Sequence, residues 1–280
     1  MIAAVLWGFI GPFGKIANSQ GVGAMEVAFW RALFAWFCFA GEILCKRQSI
    51  KVQSGDILPL AIFSLLCVAT LYGAYQTAVD QAGAAMASVL LYTAPAWVIV
   101  LSRIFLNEKI SPDKLTALAL TLCGVTCIAL SQPDNAGTTL NHISGVGIMA
   151  GLLSGFCYSL YYILGKLFSD KYTAAHLFFY TLLPGACLLL PFFTFSEKTA
   201  LAWLTLVALS VFSTYGAYRF YYKGLKYIEA GRASLIATLE PVVAGLVAWY
   251  WWGEMFSLTG YLGALMIIGA VILLVGALKN

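Results

Sequence analysis

Long apolar stretches alternate along the chain with short polar segments. Each apolar stretch is 17–23 residues long, about the length that a helix needs to cross ~30 Å of hydrocarbon. The stretches are continuously apolar, so they lack the alternation of membrane-spanning strands. The pattern predicts an all-α integral membrane protein with ten transmembrane helices, at residues 1–17, 24–45, 57–78, 83–104, 114–131, 145–166, 173–195, 200–222, 229–251 and 258–278.

The polar segments contain ordinary signals for helix ends. Ser111 and Pro112 provide a cap residue and a proline at the start of the fifth helix. The segment 132–144 begins with Gln-Pro-Asp-Asn-Ala-Gly, and it is the one loop with the composition of a linker. We therefore predict a five-helix domain at 1–131, a linker loop at 132–144 and a second five-helix domain at 145–280.

Basic residues are distributed unevenly between the two sides of the predicted helices. Of the 16 Lys and Arg residues, 12 lie on the side that carries both termini and 2 on the other side, and Arg31 and Arg219 lie within helices. Lys and Arg in short loops mark the cytoplasmic side of a membrane protein. We therefore expect a multi-pass protein of the cytoplasmic (inner) membrane with both termini in the cytoplasm.

The composition excludes several classes of protein. Of the 280 residues, 61% are hydrophobic and 10% are charged, against roughly 45–50% and about 25% in soluble domains. Ten helices of ~21 residues leave about 70 residues for loops, so a nucleic-acid-binding domain, a secreted disulfide scaffold and a disordered chain are excluded. The seven cysteines lie mostly in apolar stretches without the spacing of a metal site. We expect neither a metal nor a cofactor.

The two predicted domains repeat each other at an offset of 146 residues. Eight residues recur in order without a gap: Tyr72, Tyr75, Ala84, Ala87, Ser88, Pro95, Glu108 and Ser111 match Tyr218, Tyr221, Ala230, Ala233, Ser234, Pro241, Glu254 and Ser257. Because each domain has five helices, the second domain enters the membrane from the other side, and the repeat is inverted. Inverted repeats are typical of transporters, in which two pseudo-symmetric halves exchange inward-facing and outward-facing shapes.

Several short motifs are spread over both halves. They are Leu6-Trp7-Gly8, Gly14-Lys15, Arg31-Ala32-Leu33, Ala87-Ser88-Val89-Leu90, Tyr92-Thr93-Ala94-Pro95, Asn107-Glu108-Lys109-Ile110-Ser111, Leu239-Glu240-Pro241-Val242 and Gly253-Glu254. With these motifs the chain resembles, over essentially its whole length, the EamA-type branch of the drug/metabolite transporter superfamily. The resemblance implies ten helices, cytoplasmic termini and export or exchange of small metabolites such as amino acids. It also implies a central cavity lined mainly by helices 1, 3, 4, 6, 8 and 9.

Two charged residues within predicted helices are candidates for a substrate site. Glu240 lies eleven residues into the ninth helix, near the bilayer midplane, where an unpaired carboxylate is costly and usually functional. It is also the candidate for proton coupling, and the alternative is a protonated acid that only fixes helix packing. Arg31 could hold a substrate carboxylate, or pair with Glu26 or a backbone carbonyl. Pro241 removes a helical hydrogen bond, so we expect a kink beside Glu240.

Eight aromatic residues are candidates for the lining of the cavity. They are Trp7, Tyr72, Tyr75, Tyr92, Tyr158, Tyr162, Tyr215 and Tyr218. A buried tyrosine needs a partner for its hydroxyl group, so a set of tyrosines at mid-membrane depth favours a polar, aromatic cavity. For each residue taken singly, packing in the core is the alternative.

Six repeated residues are expected to have structural roles in the helical hairpins: Pro95, Glu108 and Ser111, with their counterparts Pro241, Glu254 and Ser257. Each serine can cap the helix that follows it. Lys15 and Lys166 end the first helix of each half, where a cation suits the C-terminus of its own helix.

These observations favour a secondary active transporter that moves a small metabolite outward by alternating access. The expected solute is an amino acid or a related zwitterion or amine. An importer or exchanger of a scarce metabolite and a multidrug exporter are alternatives, as are a channel or scaffold and, from another class, a membrane-embedded enzyme. No HExxH or GxSxG motif is present, so we do not expect an enzyme. The expected partners are the small-molecule substrate and the lipid bilayer, with protons as a further candidate and without nucleic acid.

Overall fold

The computed structural model describes residues 1–131 and 144–277. Within these ranges the chain forms helices and no strand. Nine of the described helices are long and apolar enough to cross a membrane, and an interrupted helix precedes them. The ten helices are α1 (Ile2–Gly8 and Ile10–Ser19), α2 (Ala24–Cys45), α3 (Ser54–Ala82), α4 (Ala84–Phe105), α5 (Pro112–Ser131), α6 (Gly145–Ser169), α7 (Ala174–Phe192), α8 (Ala200–Leu225), α9 (Ala230–Trp252) and α10 (Leu258–Gly276). The prediction of an all-α membrane protein with ten helices is confirmed.

Several helices extend beyond their predicted ends. The largest difference is in α3, which was expected at 57–78 and runs over Ser54–Ala82. Polar and charged residues continue a helix past the apolar stretch because long side chains can reach the interface from there. The predicted linker lies outside the described residues except for Ser144, whose hydroxyl accepts a 3.1 Å hydrogen bond from the backbone N–H of Val146 and caps α6.

α4 and α9 are interrupted at equivalent positions. α4 consists of α4a (Ala84–Leu91) and α4b (Ala94–Phe105), and α9 consists of α9a (Ala230–Ala237) and α9b (Glu240–Trp252). The starts of both pairs of half-helices differ by 146, the offset of the sequence repeat. Pro95 and Pro241 are the second residues of α4b and α9b, where a residue without an N–H ends the preceding turn. α9 is thus interrupted directly before Pro241, where the sequence predicts a kink.

α3 and α8 also share an irregular stretch. Ser64–Thr70 in α3 and Leu209–Gly216 in α8 have π-helical hydrogen bonding. With the 146-residue offset, the first stretch falls on 210–216 and lies within the second. Such wide turns bend a helix and often occur at functional sites. The two halves therefore share their backbone irregularities as well as their sequence motifs.

The outer surface of the bundle is apolar, and polar side chains are turned inward. Leu204, Phe212 and Leu265 are more than half exposed, whereas the hydroxyl groups of Ser154 and Ser210 are buried and bond to backbone carbonyls of their own helices. Apolar surfaces facing outward suit a lipid environment. The protein is therefore a multi-pass membrane protein.

The two ends of the bundle differ in charge. The loops after α2, α4, α6 and α8 lie at one end, which we name the basic end because most Lys and Arg residues are there. The loops after α1, α3, α7 and α9 lie at the opposite end. The names describe the molecule alone and assign neither end to a side of the membrane.

Candidate functional site

The centre of the candidate site is a contact between two tyrosines that are repeat counterparts. Tyr72 of α3 and Tyr218 of α8 are 146 residues apart in sequence, and their hydroxyl oxygens lie 3.4 Å from each other. A contact between equivalent atoms of two pseudo-symmetric halves lies on or near the axis that relates the halves. The tyrosine pair therefore lies at the middle of the bundle.

Arg31 of α2 reaches this pair of tyrosines. Its Nη2 donates a 2.8 Å hydrogen bond to the hydroxyl of Tyr72, and its guanidinium carbon lies 5.0 Å from the centre of that ring. Its Nε is buried and has no hydrogen-bond partner among the described residues. A buried donor without a partner is unfavourable, and it can bind an anionic group that enters the site.

The suggested pairing of Arg31 with Glu26 is wrong. The Glu26 carboxylate forms an ion pair with Lys198 and accepts a 2.8 Å hydrogen bond from the hydroxyl of Ser196. Both members of this ion pair are buried. The charge of Glu26 is thus neutralised near the end opposite the basic end. Arg31 is therefore free to interact with groups at the centre of the bundle.

Glu240 lies at the interruption of α9. As the first residue of α9b, its carboxylate is at a helix N-terminus, where negative charge is favourable. Its carboxylate lies in the same region as the guanidinium of Arg31 and the hydroxyl of Tyr92. No direct ion pair joins Glu240 to Arg31 within the described chain. The two opposite charges therefore act on the same region without neutralising each other by contact.

Aromatic side chains form much of the wall around these charges. Trp7 is buried, with its ring centre 6.2 Å from that of Tyr218. The hydroxyl of Tyr162 donates a 3.1 Å hydrogen bond to that of Tyr158, and both residues lie within the electrostatic reach of Glu240. Four of the eight predicted aromatic residues therefore lie in this wall, close to Glu240 or to the central tyrosine pair: Trp7, Tyr158, Tyr162 and Tyr218.

Two tyrosines that sequence reasoning missed also belong to this cluster. The rings of Tyr161 and Tyr221 stack with centres 5.4 Å apart, and both hydroxyls are buried without a partner among the described residues. Two signals could have found them. Tyr221 is the repeat counterpart of Tyr75, and Tyr161 follows Tyr158 by three residues on one helix face.

A narrow cleft joins the interruptions of α4 and α9. It is lined by Tyr92, Ala94, Pro95, Tyr158, Tyr162, Ser234, Ala237 and Thr238. Gly155 lets α6 approach this region closely, because a Cβ atom there would lie 2.6 Å from the backbone oxygen of Leu90 and 2.7 Å from the hydroxyl of Thr93. The interruptions of two helices and the tyrosines of α6 therefore meet at one place.

The two remaining aromatic candidates lie in different surroundings. The hydroxyl of Tyr75 is 3.4 Å from the hydroxyl of Ser88 and within the electrostatic reach of Glu240. Tyr215 instead donates a 3.0 Å hydrogen bond to Glu42 on α2 and accepts one of 3.3 Å from Arg219. The structure thus brings Tyr75 to the site and directs Tyr215 away from it.

The predicted serine caps are not formed by the serine side chains. Ser257 precedes α10, but its hydroxyl contacts the hydroxyl of Thr259 at 2.7 Å, and no side-chain bond caps the helix. The buried hydroxyl of Ser111 lies beside the carboxylate of Asp113. Glu108 and Glu254, in the loops before these serines, are in unlike surroundings, with Glu108 buried and Glu254 half exposed.

Lys166 does not serve the C-terminus of its own helix. Its ammonium group donates to backbone carbonyls at the end of α8, at 2.6 Å from that of Leu225. Lys15, the other cation expected to cap its own helix, pairs with Glu254. Each lysine therefore links its own helix to a distant part of the chain, Lys166 to the end of α8 and Lys15 to the loop after α9.

Comparison with known proteins agrees with this architecture. The model of the EamA-like transporter family matches residues 1–130 and 145–276. An uncharacterized transporter of Archaeoglobus fulgidus is 31% identical over 273 residues, which cover 98% of this chain and 93% of that protein. The uncharacterized inner membrane transporter YicL of Salmonella typhimurium is 27% identical, over 98% of this chain and 93% of its own.

A known crystal structure shows the same fold. It superposes with a TM-score of 0.85 at 16% sequence identity, over 100% of this chain and 96% of the other chain. At this identity the likeness concerns the fold alone. Because the family model matches both halves and the relatives match almost the full length, the chain belongs to the EamA-like transporter family.

Proposed function

We propose that this transporter moves a small zwitterion or amine of amino-acid size, mainly outward, across the cytoplasmic membrane. The observation that carries the proposal is the arrangement of Arg31 and Glu240 at the centre of the bundle. Arg31 reaches Tyr72 of the central pair, Glu240 begins α9b, and the two side chains form no ion pair with each other within the described residues. A solute with a carboxylate and an ammonium group can neutralise both.

Each end of such a solute has a suitable partner. The planar guanidinium of Arg31 matches a carboxylate, and its unpartnered Nε provides a donor beyond the bond to Tyr72. The Glu240 carboxylate matches an ammonium group. The rings of Trp7 and Tyr218 nearby suit an apolar side chain or the face-on approach of a cation.

The repeat supports a functional role for both charges. The counterpart of Glu240 at the 146-residue offset is Ala94. α2 and α7 begin at Ala24 and Ala174, so the residue of α7 that lies as deep as Arg31 is Thr181. Because both counterparts are neutral, the symmetric framework folds without a charge at either place. The charges therefore fit a role in the solute site better than a role in the framework.

Alternating access is the proposed mechanism. Two inverted halves with matching interruptions can exchange their shapes, which opens the central site to one side and then to the other. The distribution of Lys and Arg favours a cytoplasmic position for the basic end and both termini. Reporter fusions at Asn135 and Asn280, which lie outside the described residues, test this orientation. A periplasmic Asn280 or a cytoplasmic Asn135 contradicts it.

Proton coupling is proposed at Glu240. A carboxylate in the middle of a membrane avoids its charging cost by binding a proton, by pairing with a cation or by facing water in one conformation. Each of these makes its protonation depend on which end is open. Solute flux should therefore respond to a pH gradient through this residue.

A ligand screen followed by a transport assay tests the solute class. The purified protein is screened by thermal shift against a metabolite library, and the strongest ligands are then used in counterflow with proteoliposomes. We expect amino acids or amines to raise the melting temperature and to show saturable, stereoselective counterflow. Stabilisation by long-chain lipids or nucleotides alone contradicts the solute class, and flux that does not saturate contradicts a carrier mechanism.

A further inference from the structure

Charged side chains from elsewhere in the chain hold the turn between α8 and α9 at the basic end, among them Glu108 of the α4–α5 loop and Lys166 of α6. The carboxylate of Glu108 accepts hydrogen bonds from the backbone N–H groups of Ala230, at 2.5 Å, and of Gly231, at 3.1 Å. The ammonium of Lys166 donates to three backbone carbonyl oxygens, those of Leu225 at 2.6 Å, Ile228 at 3.0 Å and Lys226 at 3.4 Å. We name Glu108, Lys166 and this turn the basic-end clamp.

The chemistry of this clamp matches the helix ends that it holds. The N–H groups at the start of α9 and the carbonyl groups at the end of α8 have no partners within their own helices. A carboxylate suits the first set and an ammonium group the second. The Glu108 side chain is 7% exposed, and Lys114, 2% exposed, places its Nζ 3.6 Å from it. Water therefore competes little with the contacts of Glu108, and the clamp ties the end of α8 and the start of α9 to the α4–α5 loop and to α6.

The inverted repeat places equivalent groups at the opposite end. Glu254 is the counterpart of Glu108, since 108 + 146 = 254, and Lys15 is the counterpart of Lys166 at an offset of 151. The equivalent turn is Gly83, between α3 and α4, and the equivalent N–H groups belong to Ala84 and Ala85. All the parts of a second clamp are thus present.

The second clamp is not closed in this conformation. Lys15 and Glu254 pair with each other, and each side chain is 51% exposed. Lys15 Nζ also lies 4.5 Å from the ring centre of Trp252. Among the described residues, neither side chain forms a hydrogen bond to the turn at Gly83. The two ends have the same groups but only the basic end is clamped.

We infer that Lys15 and Glu254 close an opposite-end clamp on the turn at Gly83 when the transporter adopts its alternate conformation, an inference that rests on the alternating access proposed above. Glu254 then accepts hydrogen bonds from the backbone N–H groups of Ala84 and Ala85. Lys15 donates to the carbonyl groups at the end of α3. The Lys15–Glu254 pair separates, and the basic-end clamp opens.

The present contacts make this exchange feasible. An exposed ion pair such as Lys15–Glu254 is weak because water and salt screen it. Asp80, in the last turn of α3, adds a carboxylate that favours the arrival of Lys15. The buried basic-end clamp therefore holds the present conformation. Weakening the hydrogen bonds of Glu108 should increase the population of the alternate conformation. An equilibrium shifts by the difference in interaction free energy between its two states.

Hydrogen–deuterium exchange of the full-length protein in lipid nanodiscs tests the inference in two segments, 79–86 and 225–232. Glu108→Gln should speed exchange in 225–232 and slow it about fivefold or more in 79–86, because the alternate conformation gains population. Adding Glu254→Gln should remove that protection of 79–86. Adding Glu197→Gln instead, a matched change of an exposed glutamate, should leave the protection of 79–86 unchanged. Protection that survives Glu254→Gln, or that never appears in Glu108→Gln, overturns the inference.

A second measurement leaves the charges of both clamps intact. The double variant Ala84→Cys/Met255→Cys changes one exposed position on each side of the opposite-end clamp and is treated with a short bifunctional thiol reagent. Each single variant controls for the native cysteines. We expect cross-linking in the double variant to stop counterflow and reduction to restore it. A folded double variant with normal counterflow and no cross-link overturns the clamp and leaves the proposed function standing. Absence of counterflow in the wild-type protein counts against the proposed function instead.

Discussion

The two halves of this transporter have the same backbone irregularities but different chemistry. α4 and α9 break at positions 146 residues apart, and α3 and α8 contain matching π-helical stretches. The charged residues of the site do not follow this symmetry, because Glu240 matches Ala94 and Arg31 lies as deep as Thr181. The difference separates two requirements. The helical framework is duplicated, whereas the charges that we propose to bind the solute occur once.

The difference also gives each half a distinct contribution to the centre. The first half provides Arg31 and its hydrogen-bond partner Tyr72, and the second half provides Glu240 and Tyr218. A solute that binds both charges therefore joins the two halves. Its binding is sensitive to how the halves are placed, which is what a carrier needs in order to couple binding to a change of shape.

The largest expected effect comes from removing the charge of the first half. Arg31→Gln should weaken solute binding about 100-fold, since a charge-assisted bidentate bond to a carboxylate contributes about 2–3 kcal/mol in a buried site. Arg31→Lys should recover only part of the loss, because an ammonium group lacks the planar fork. Binding is measured by titration of the purified protein with the strongest ligand from the thermal-shift screen.

Arg103 provides the matched control for this change. It is exposed in the last turn of α4 and forms no ion pair among the described residues. Arg103→Gln should leave the affinity unchanged. Equal affinities of Arg31→Gln and Arg103→Gln would show that Arg31 acts on packing or gating and does not touch the solute.

The framework could be predicted from sequence because its determinants are local. The length of the apolar stretches predicted ten helices, and Pro241 predicted a kink at the place where α9 is interrupted. Tyr215 and Tyr218 could not be separated in this way. Three residues apart, they should share a helix face, but Tyr215 lies inside the π-helical stretch Leu209–Gly216 and Tyr218 after it. The wide turn changes the rotation between them, so Tyr215 reaches Glu42 and Tyr218 reaches the centre.

The partners of Lys166 and Glu108 could not be predicted either. Both bind the turn between α8 and α9, at sequence separations of 59 and 122 residues. Local spacing predicts caps on neighbouring helix ends, and it cannot identify a turn that only tertiary packing brings near. The repeat predicts equal roles for Glu108 and Glu254, whereas a single conformation shows them in unequal ones.

The charge of the second half should control the pH dependence of transport. Glu240→Gln keeps the size and hydrogen-bonding capacity of the side chain but cannot titrate. We expect a wild-type flux that varies about tenfold across the pH range in which the carboxyl titrates, and a nearly flat profile in the variant. Flux is measured against pH in proteoliposomes at matched protein levels.

Expression and stability measurements complete this test. If Glu240 only fixed packing, Glu240→Gln would lower the yield or the melting temperature, and the remaining protein would keep its pH profile. Glu197→Gln, which changes an exposed glutamate outside the site, should alter neither. Superimposable normalised profiles for wild type and Glu240→Gln would rule out Glu240 as the coupling group.

Close contacts between the halves should be sensitive to one added methyl group. Gly155→Ala places a Cβ atom 2.6 Å from the backbone oxygen of Leu90, and Gly8→Ala places one 2.5 Å from the Cβ atom of Val243. We expect losses of about 1–3 kcal/mol in both variants, since overpacking against a backbone atom or a Cβ atom cannot relax by a rotamer change. Gly269→Ala, with nothing within 4 Å, is the control. Apparent melting temperatures that fall equally in all three variants would contradict the contacts.

The smallest expected effects come from three single hydroxyl groups, and they distinguish the central pair from its sequence neighbour. Tyr72→Phe removes the acceptor of the 2.8 Å bond from Arg31, so the guanidinium should lose its orientation and affinity should fall about fivefold. Tyr218→Phe removes only the 3.4 Å contact with Tyr72 and should cost about twofold. Tyr215→Phe breaks a bond to Glu42 outside the site and should leave affinity unchanged while lowering stability slightly.

Each of the three changes removes one oxygen atom and keeps the ring. Differences among the three variants in solute titrations therefore report the position of the hydroxyl group and not the size of the side chain. A Tyr215→Phe variant that loses as much affinity as Tyr72→Phe would place Tyr215 in the solute site and contradict the side-chain assignment drawn from the π-helical stretch of α8.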